Sequence, residues 1–338
     1  MAMKTMKSLL AASAAIWLTG LAAPAMAQTG NPGGKINDNL GMMDYGVCRG
    51  TDPKCFHDWP RAARSGPLKV LLYTRTAGPR HANLGSALGP GLNPPLADDN
   101  VVQKGMLRLA AENGITLDYT EDVSQMQRLV GYNAVIFYST SRDNLDDGAK
   151  TALRQYMRAG GGFVGIHNAF GTLYNWPYYE GLLGGANFYD HGPAQDADVM
   201  IVDAKDVTTK TLAKRWKFKD EWYNLVPFPT KVRFLATVDE KSYSAPAGAG
   251  EGPPPQRPGM PPRPPMAPSV VGKSPGHGTF HPVAWCQYYD GGKAWLTTLG
   301  HDPGVFATSD SEFAGAKAFQ TMVVGAIKSV AGDEPFCR

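Results

Sequence analysis

The sequence predicts an α/β protein with a mostly parallel sheet and helices on both faces. Two observations carry that expectation. From Lys69 onward, short apolar runs suited to buried strands alternate with stretches of helical periodicity. The connections between them are short, which favours crossover units and hence parallel strands.

Each element can be justified in turn. Residues 69–73 (Lys-Val-Leu-Leu-Tyr) form the first strand. Residues 98–113 follow as a helix, because Val101, Val102, Met106, Leu109 and Ala110 share one face. A second strand at 115–119 and a short helix at 123–129 lead into a third strand at 134–138. The helix at 143–159 turns Leu145, Ala149, Leu153 and Tyr156 inward, and 162–166 is the fourth strand. In the second half, 199–202 and 232–238 read as strands. Residues 283–289 and 294–299 flank Asp290-Gly291-Gly292, a hairpin signal, and 311–330 is a closing helix.

The ends and the composition bound the function. Residues 1–27 read as a secretory signal: Lys4 and Lys7, an apolar run from Leu9 to Ala23, and the small-x-small site Ala25-Met26-Ala27. That run is shorter than the roughly 20 residues that span a bilayer, so the mature protein is expected to be periplasmic or secreted, without a membrane anchor. Losing Lys4 and Lys7 takes the formal charge from +3 to +1. A nearly neutral chain lacks the electrostatic footprint of a nucleic-acid binder, and a small or neutral molecule is the expected partner. Residues 28–66 read as an extended arm, 67–332 as one domain and 333–338 as a tail. The stretch 244–278 is a proline-rich insertion containing Pro253-Pro254-Pro255. Export permits disulfides: Cys48 and Cys55 are expected to pair, and Cys286 and Cys337 are a second candidate pair.

Ligands of open parallel sheets sit beyond the carboxyl ends of the strands. The first strand runs into Thr74-Arg75-Thr76, with His81 further on, and the fourth runs into His167-Asn168-Ala169. Gly160-Gly161-Gly162-Phe163-Val164-Gly165-Ile166-His167 resembles the strand-turn-helix that exposes a nucleophile, but the exposed position is a histidine. Imidazole suits a general base, a general acid or a metal ligand. His191, His281 and His301 also stand at turns or strand ends, and scattered imidazoles that converge with a carboxylate can hold a divalent ion. Asp220-Glu221-Trp222-Tyr223 sets two acids beside two aromatics. Neighbours on a strand face opposite ways, so only one acid can enter a given site, and the sequence does not say which. The aromatics offer a platform for a sugar ring.

Taken together, these segments resemble the ThuA-like, trehalose-utilisation family, whose fold is that of class I glutamine amidotransferases. The shared pattern comprises the His81 turn, Gly161–His167, Leu183-Gly184-Gly185 with Phe188 and His191, Asp220–Tyr223, His281-Pro282-Val283-Ala284-Trp285 and Thr298-Leu299-Gly300-His301. The resemblance implies a flavodoxin-like sheet and a role in carbohydrate metabolism. It also implies that the amidotransferase cysteine is absent, with His167 near its place. The family's link to oxidised disaccharides and glycosides makes a sugar or 3-keto-glycoside the expected substrate, broken down by base-catalysed elimination or hydrolysis. In that scheme His167 is the base or a metal ligand, and Glu221 or Asp220 is the acid partner. Arg75, Asn168, Trp222, Tyr223 and His281 contact substrate. A zinc-like ion is expected on some of His81, His167, His191 and His301, and no nucleotide cofactor is expected. The alternatives are a sugar-binding protein of the same fold without turnover and a metal-dependent hydrolase of another small substrate.

Overall fold

A computed structural model describes residues 45–58, 68–244 and 276–338. The signal segment, most of the 28–66 arm and nearly all of the 244–278 insertion lie outside the described residues. In chain order the elements are β1 (Arg49–Gly50), β2 (Leu68–Tyr73), α1 (Val101–Glu112), β3 (Ile115–Thr120), β4 (Ala134–Tyr138), α2 (Asp147–Arg158), β5 (Gly162–Ile166) and α3 (Pro177–Leu182). They continue with β6 (Phe188–His191), β7 (Gln195–Ile201), β8 (Arg215–Asp220), β9 (Tyr223–Leu225), β10 (Arg233–Asp239), β11 (His281–Tyr289), β12 (Gly292–Thr297) and α4 (Ala316–Ala331).

The main sheet runs β3-β2-β4-β5-β12-β11-β10-β7-β8, with β1 added beside β11. The strands β3, β2, β4, β5 and β12 are parallel neighbours. From β12 the sheet continues through antiparallel pairs. The direction reverses at the hairpin Asp290-Gly291, where both residues have positive φ (47° and 91°) as a two-residue primed turn requires. The chain leaves β2 for β3 on one side and returns to β4 on the other, which opens a crevice at the carboxyl ends of the parallel strands.

Each parallel strand is buried on both sides, so its residues divide between two cores. Val70, Leu72, Ile136, Tyr138, Val164 and Ile166 pack with α1 and α4. Leu71, Tyr73, Val135, Phe137 and Phe163 pack with α2 and α3. The α/β architecture expected from the sequence, with helices on both faces, is the one observed. Helix starts are later than periodicity suggests. Asp146 caps α2 by accepting from the Ala149 amide, and α4 begins only after Gly315, at φ +78°. The 123–129 helix is a short 3-10 segment, Val123–Gln127.

Five elements had no sequence signal: β1, α3, β6, β8 and β9. Strand β8 alternates exposed Arg215, Lys217 and Lys219 with more buried neighbours, a pattern that suits its place at the sheet edge. Strands β6 and β9 form a separate two-stranded sheet in which His191 lies opposite Tyr223. Among the described residues, no helix is long and apolar enough to cross a membrane.

Both disulfides form, Cys48–Cys55 and Cys286–Cys337. The second ties the tail to β11 across a separation of 51 residues, and Phe336 packs against Tyr288 with ring centroids 5.1 Å apart. Closing a loop of that length restricts the unfolded chain. Replacing Cys286 and Cys337 together by alanine is therefore expected to cost about 2–4 kcal/mol in urea unfolding. An unchanged midpoint would show that packing of the tail, not the bond, holds it.

Candidate metal centre

The loops after the parallel strands supply the site. His81 follows β2, His167 follows β5 directly, and His301 follows β12. Glu221 comes directly after β8, while His191 and Tyr223 reach in from the small sheet.

His167 sits at φ +53°, a conformation that costs energy in a residue with a side chain. It opens a 3-10 turn, His167–Gly171, as a strained elbow does. The turn is tight: a Cβ on Gly171 would lie 2.2 Å from Asn168 Oδ1. The His167 ring is fully buried, and burial pushes its pKa down to about 3, so it is neutral near pH 7. Nδ1 lies 2.9 Å from the Thr298 carbonyl, which accepts only if Nδ1 carries the proton. Nε2 then turns its lone pair toward the Tyr223 hydroxyl at 2.9 Å and Glu221 at 3.6 Å.

Glu221 is the hub. Its Oε2 lies 3.2 Å from His301 Nδ1, 3.6 Å from His167 Nε2, 3.7 Å from His191 Nε2 and 3.8 Å from His81 Nε2. Burial pushes this carboxyl up, but the imidazoles of His301 and His81 pull it well below the carboxylate range; His167, neutral with its proton on Nδ1, offers it no donor. Burial pushes His301 down, and the Glu221 carboxylate outweighs that and raises it.

One ligand atom from each of His81, His167, Glu221 and His301 falls within 4.8 Å of the others. Zinc bonds of 2.0–2.1 Å in a tetrahedron place ligands about 3.3 Å apart, close to the Glu221 separations. Three imidazole nitrogens and one carboxylate oxygen suit a borderline divalent cation. Glu221 Oε2 and His301 Nδ1 are moreover buried without a hydrogen-bond partner, a costly state that a bound cation would relieve. These four residues therefore can hold a metal ion.

Three of the four candidate histidines, His81, His167 and His301, meet with the Glu221 carboxylate. His191 approaches Glu221 but stands outside the cluster, with its Nδ1 2.6 Å from the Gly192 carbonyl. Between the adjacent acids, Glu221 faces the cluster. Asp220 is not one of the four clustered residues but lies beside them, with its Oδ1 3.9 Å from His167 Nδ1. It is fully buried: Oδ2 accepts from the Gly300 amide (2.7 Å), and Oδ1 accepts from the amides of Glu221 (2.8 Å) and His301 (3.3 Å). Burial pushes its pKa up to about 7 while those amides pull it down.

The expected substrate contacts divide. Tyr223 places its hydroxyl at the cluster, 3.5 Å from both His81 Nε2 and Asn168 Oδ1. Asn168 is anchored beside it by donating to the Thr140 carbonyl. Trp222 is only 3% exposed; its Nε1 donates to the Gln195 carbonyl and its ring stacks on Tyr243, so it offers no open face to a sugar. His281 is spent on bridging Glu240 Oε1 (2.7 Å) and the Tyr223 carbonyl (2.9 Å). Arg75 donates to the Glu121 carbonyl. His281 thus holds the Tyr223 backbone from behind, and Trp222 is packed out of reach of a ligand, while Arg75 is tied to the Glu121 backbone. Two residues that the sequence did not single out, Asn83 and Tyr138, grip the His301 turn.

Fold and site together describe an α/β protein with a histidine-carboxylate cluster where the strands of its central sheet end. The family model for ThuA, trehalose utilisation, matches residues 69–328, and the chain belongs to that family. Its carbohydrate-related role holds at the level of the family. Among solved structures, the chain is similar to a ThuA-like protein from Bacteroides uniformis at 22% identity and TM-score 0.54, covering 80% of this chain and 95% of that one. It is also similar to a ThuA-like protein from Parabacteroides merdae at 15% identity and TM-score 0.54, covering 79% and 91%. No curated protein matches the chain.

Two measurements test how Asp220 and Glu240 support the site. Asp220→Asn turns a donor toward at least one backbone amide and should cost about 1–3 kcal/mol in chemical denaturation; unchanged stability would mean that these bonds do not matter. Burial pushes Glu240 up, but the hydrogen bond to His281 and the amide of His277 outweigh it and lower its pKa. A carboxyl depressed in the folded state adds stability above its unfolded value, near 4.5, and loses it as pH falls through the folded value. Glu240→Gln should therefore flatten the fall in stability below that pH. An acid limb as steep as the wild type's would refute the linkage.

Proposed function

We propose that this protein is an exported enzyme acting on a sugar or 3-keto-glycoside, with a zinc-like cation held by His81, His167, Glu221 and His301. The observation that supports this reading is the Glu221 carboxylate, buried with an unpartnered oxygen among imidazole nitrogens. The family's carbohydrate role supports the substrate class. Export rests on the 1–27 segment and on the two disulfides, which persist in oxidising compartments.

A ketone at C3 acidifies the C2 proton. A base takes that proton, and the C–H electron pair becomes the double bond of an enediolate. The pair then forms C1=C2 as the C1–O bond breaks, and the departing oxygen receives a proton. A cation held by the four residues would supply positive charge for the developing oxyanion. Both ring nitrogens of His167 are engaged, so this reading gives it ligation and moves proton transfer to the flanking His191, with Tyr223 beside it. Burial holds the Tyr223 hydroxyl well above its ordinary pKa, so it stays protonated and can hydrogen-bond the departing oxygen, while His191 takes the C2 proton and returns it to that oxygen.

The purified protein should bind one equivalent of zinc or cobalt(II) and should turn over members of a panel of 3-keto-glycosides. His167→Ala is expected to lose both metal and turnover with its circular dichroism intact. His191→Gln should keep the metal and lose turnover by about 10²–10⁴-fold. Sugar binding without product in the metal-loaded wild type would leave a binding protein instead. Full turnover by metal-free protein would overturn the metal assignment.

A further inference from the structure

We propose that Asn83 is a positioning residue of the centre, tying the turn that carries His81 to the turn that carries His301 so that two of the four ligands are set together. The inference rests on the reading of those four residues as a metal centre. Asn83 stands two residues after His81, in the single 3-10 turn Ala82–Leu84, and is 2% exposed. Its Nδ2 donates to the Gly300 carbonyl at 3.0 Å and to the His301 carbonyl at 2.8 Å. Both partners are acceptors, which fixes the orientation of the amide and uses both of its hydrogens.

The Gly300–His301 segment needs such a grip. It follows the end of β12, and Gly300 sits at φ +124°, in a region that favours glycine. A Cβ there would lie 2.8 Å from the Tyr138 hydroxyl. The segment's amides are held by Asp220, and the Gly300 carbonyl also accepts from Tyr138 at 3.0 Å. Asp220 belongs to the Glu221 side of the site and Tyr138 to β4. Asn83 is the member of the three that reaches over from the His81 turn. Without it the two turns lose their direct bond, and His301, the most exposed of the four ligands at 30%, is the one freed to drift.

The test is a cobalt(II) titration of the full chain, read by its visible absorption, for wild type, Asn83→Ala, His301→Ala and the double variant. Wild type should bind one equivalent with the strong bands of a tetrahedral site. Asn83→Ala should bind about 10–100-fold more weakly, as loss of an outer-shell partner does, with weakened bands. In the His301→Ala background the same change should add little, because the ligand it sets is already gone. Equal affinity in Asn83→Ala and wild type would overturn the proposal. So would an equal loss in both backgrounds, which would mark general destabilisation. If Asn83→Ala does not fold, Tyr138→Phe removes one grip on the same carbonyl and should give a smaller loss in the same direction; no loss would again overturn it. A wild type that binds no cobalt would sink the metal reading itself and this inference with it, whereas binding by wild type with no effect of Asn83→Ala sinks only the inference.

Discussion

The arrangement of the site depends on one carboxylate buried among imidazoles. An ionised Glu221 away from water is tolerable only beside positive charge or donors. The nearby groups are neutral or weakly basic rings that compete for it. His167 is neutral because it is buried, and its Nδ1 is committed to a backbone carbonyl. The ring therefore turns a lone pair toward the carboxylate, an arrangement that a cation between them satisfies better than a proton can. The strained backbone at His167 follows from the same demand: the ring must stand up from the strand end and cannot lie along it.

The rest of the neighbourhood keeps that cluster in shape. Asp220 fastens Glu221 to the His301 turn through backbone amides. Glu240 and His281 hold the carbonyl of Tyr223, whose hydroxyl meets the cluster. Such partners fix the orientation of ligands and are commonly as important as the ligands themselves. Here they come from the antiparallel strands or, for Glu240, the turn directly after one, so the parallel part provides the floor and the antiparallel part sets the wall.

Much of the fold was legible because periodicity and short connections report directly on buried strands and amphipathic helices. The boundaries 134–138 and 162–166 are those observed. Strands β6 and β9 were invisible because they are short, pair only with each other and mix polar with aromatic residues. Three of the four clustered side chains, His81, His167 and His301, were legible from their positions after strands. Glu221 was visible only as one of two acids, since side-chain direction at a strand end depends on the register of β8. Trp222 and His281 misled because an aromatic or imidazole near a site has the same sequence signature whether it faces a ligand or supports the residue that does. Asn83 gave no signal at all: its role lies in reaching a carbonyl more than 200 residues away.

The four clustered residues are drawn from almost the whole length of the domain, from His81 to His301. The cluster therefore cannot exist in a partly made chain. β12 joins β5 as the return arm of a hairpin late in the chain, and His301 comes with it. In the proposed centre, capture of an ion would thereby be deferred until the sheet is assembled. The ion would be loaded onto the folded protein and would act as a final stitch between the first and last strands of the parallel core.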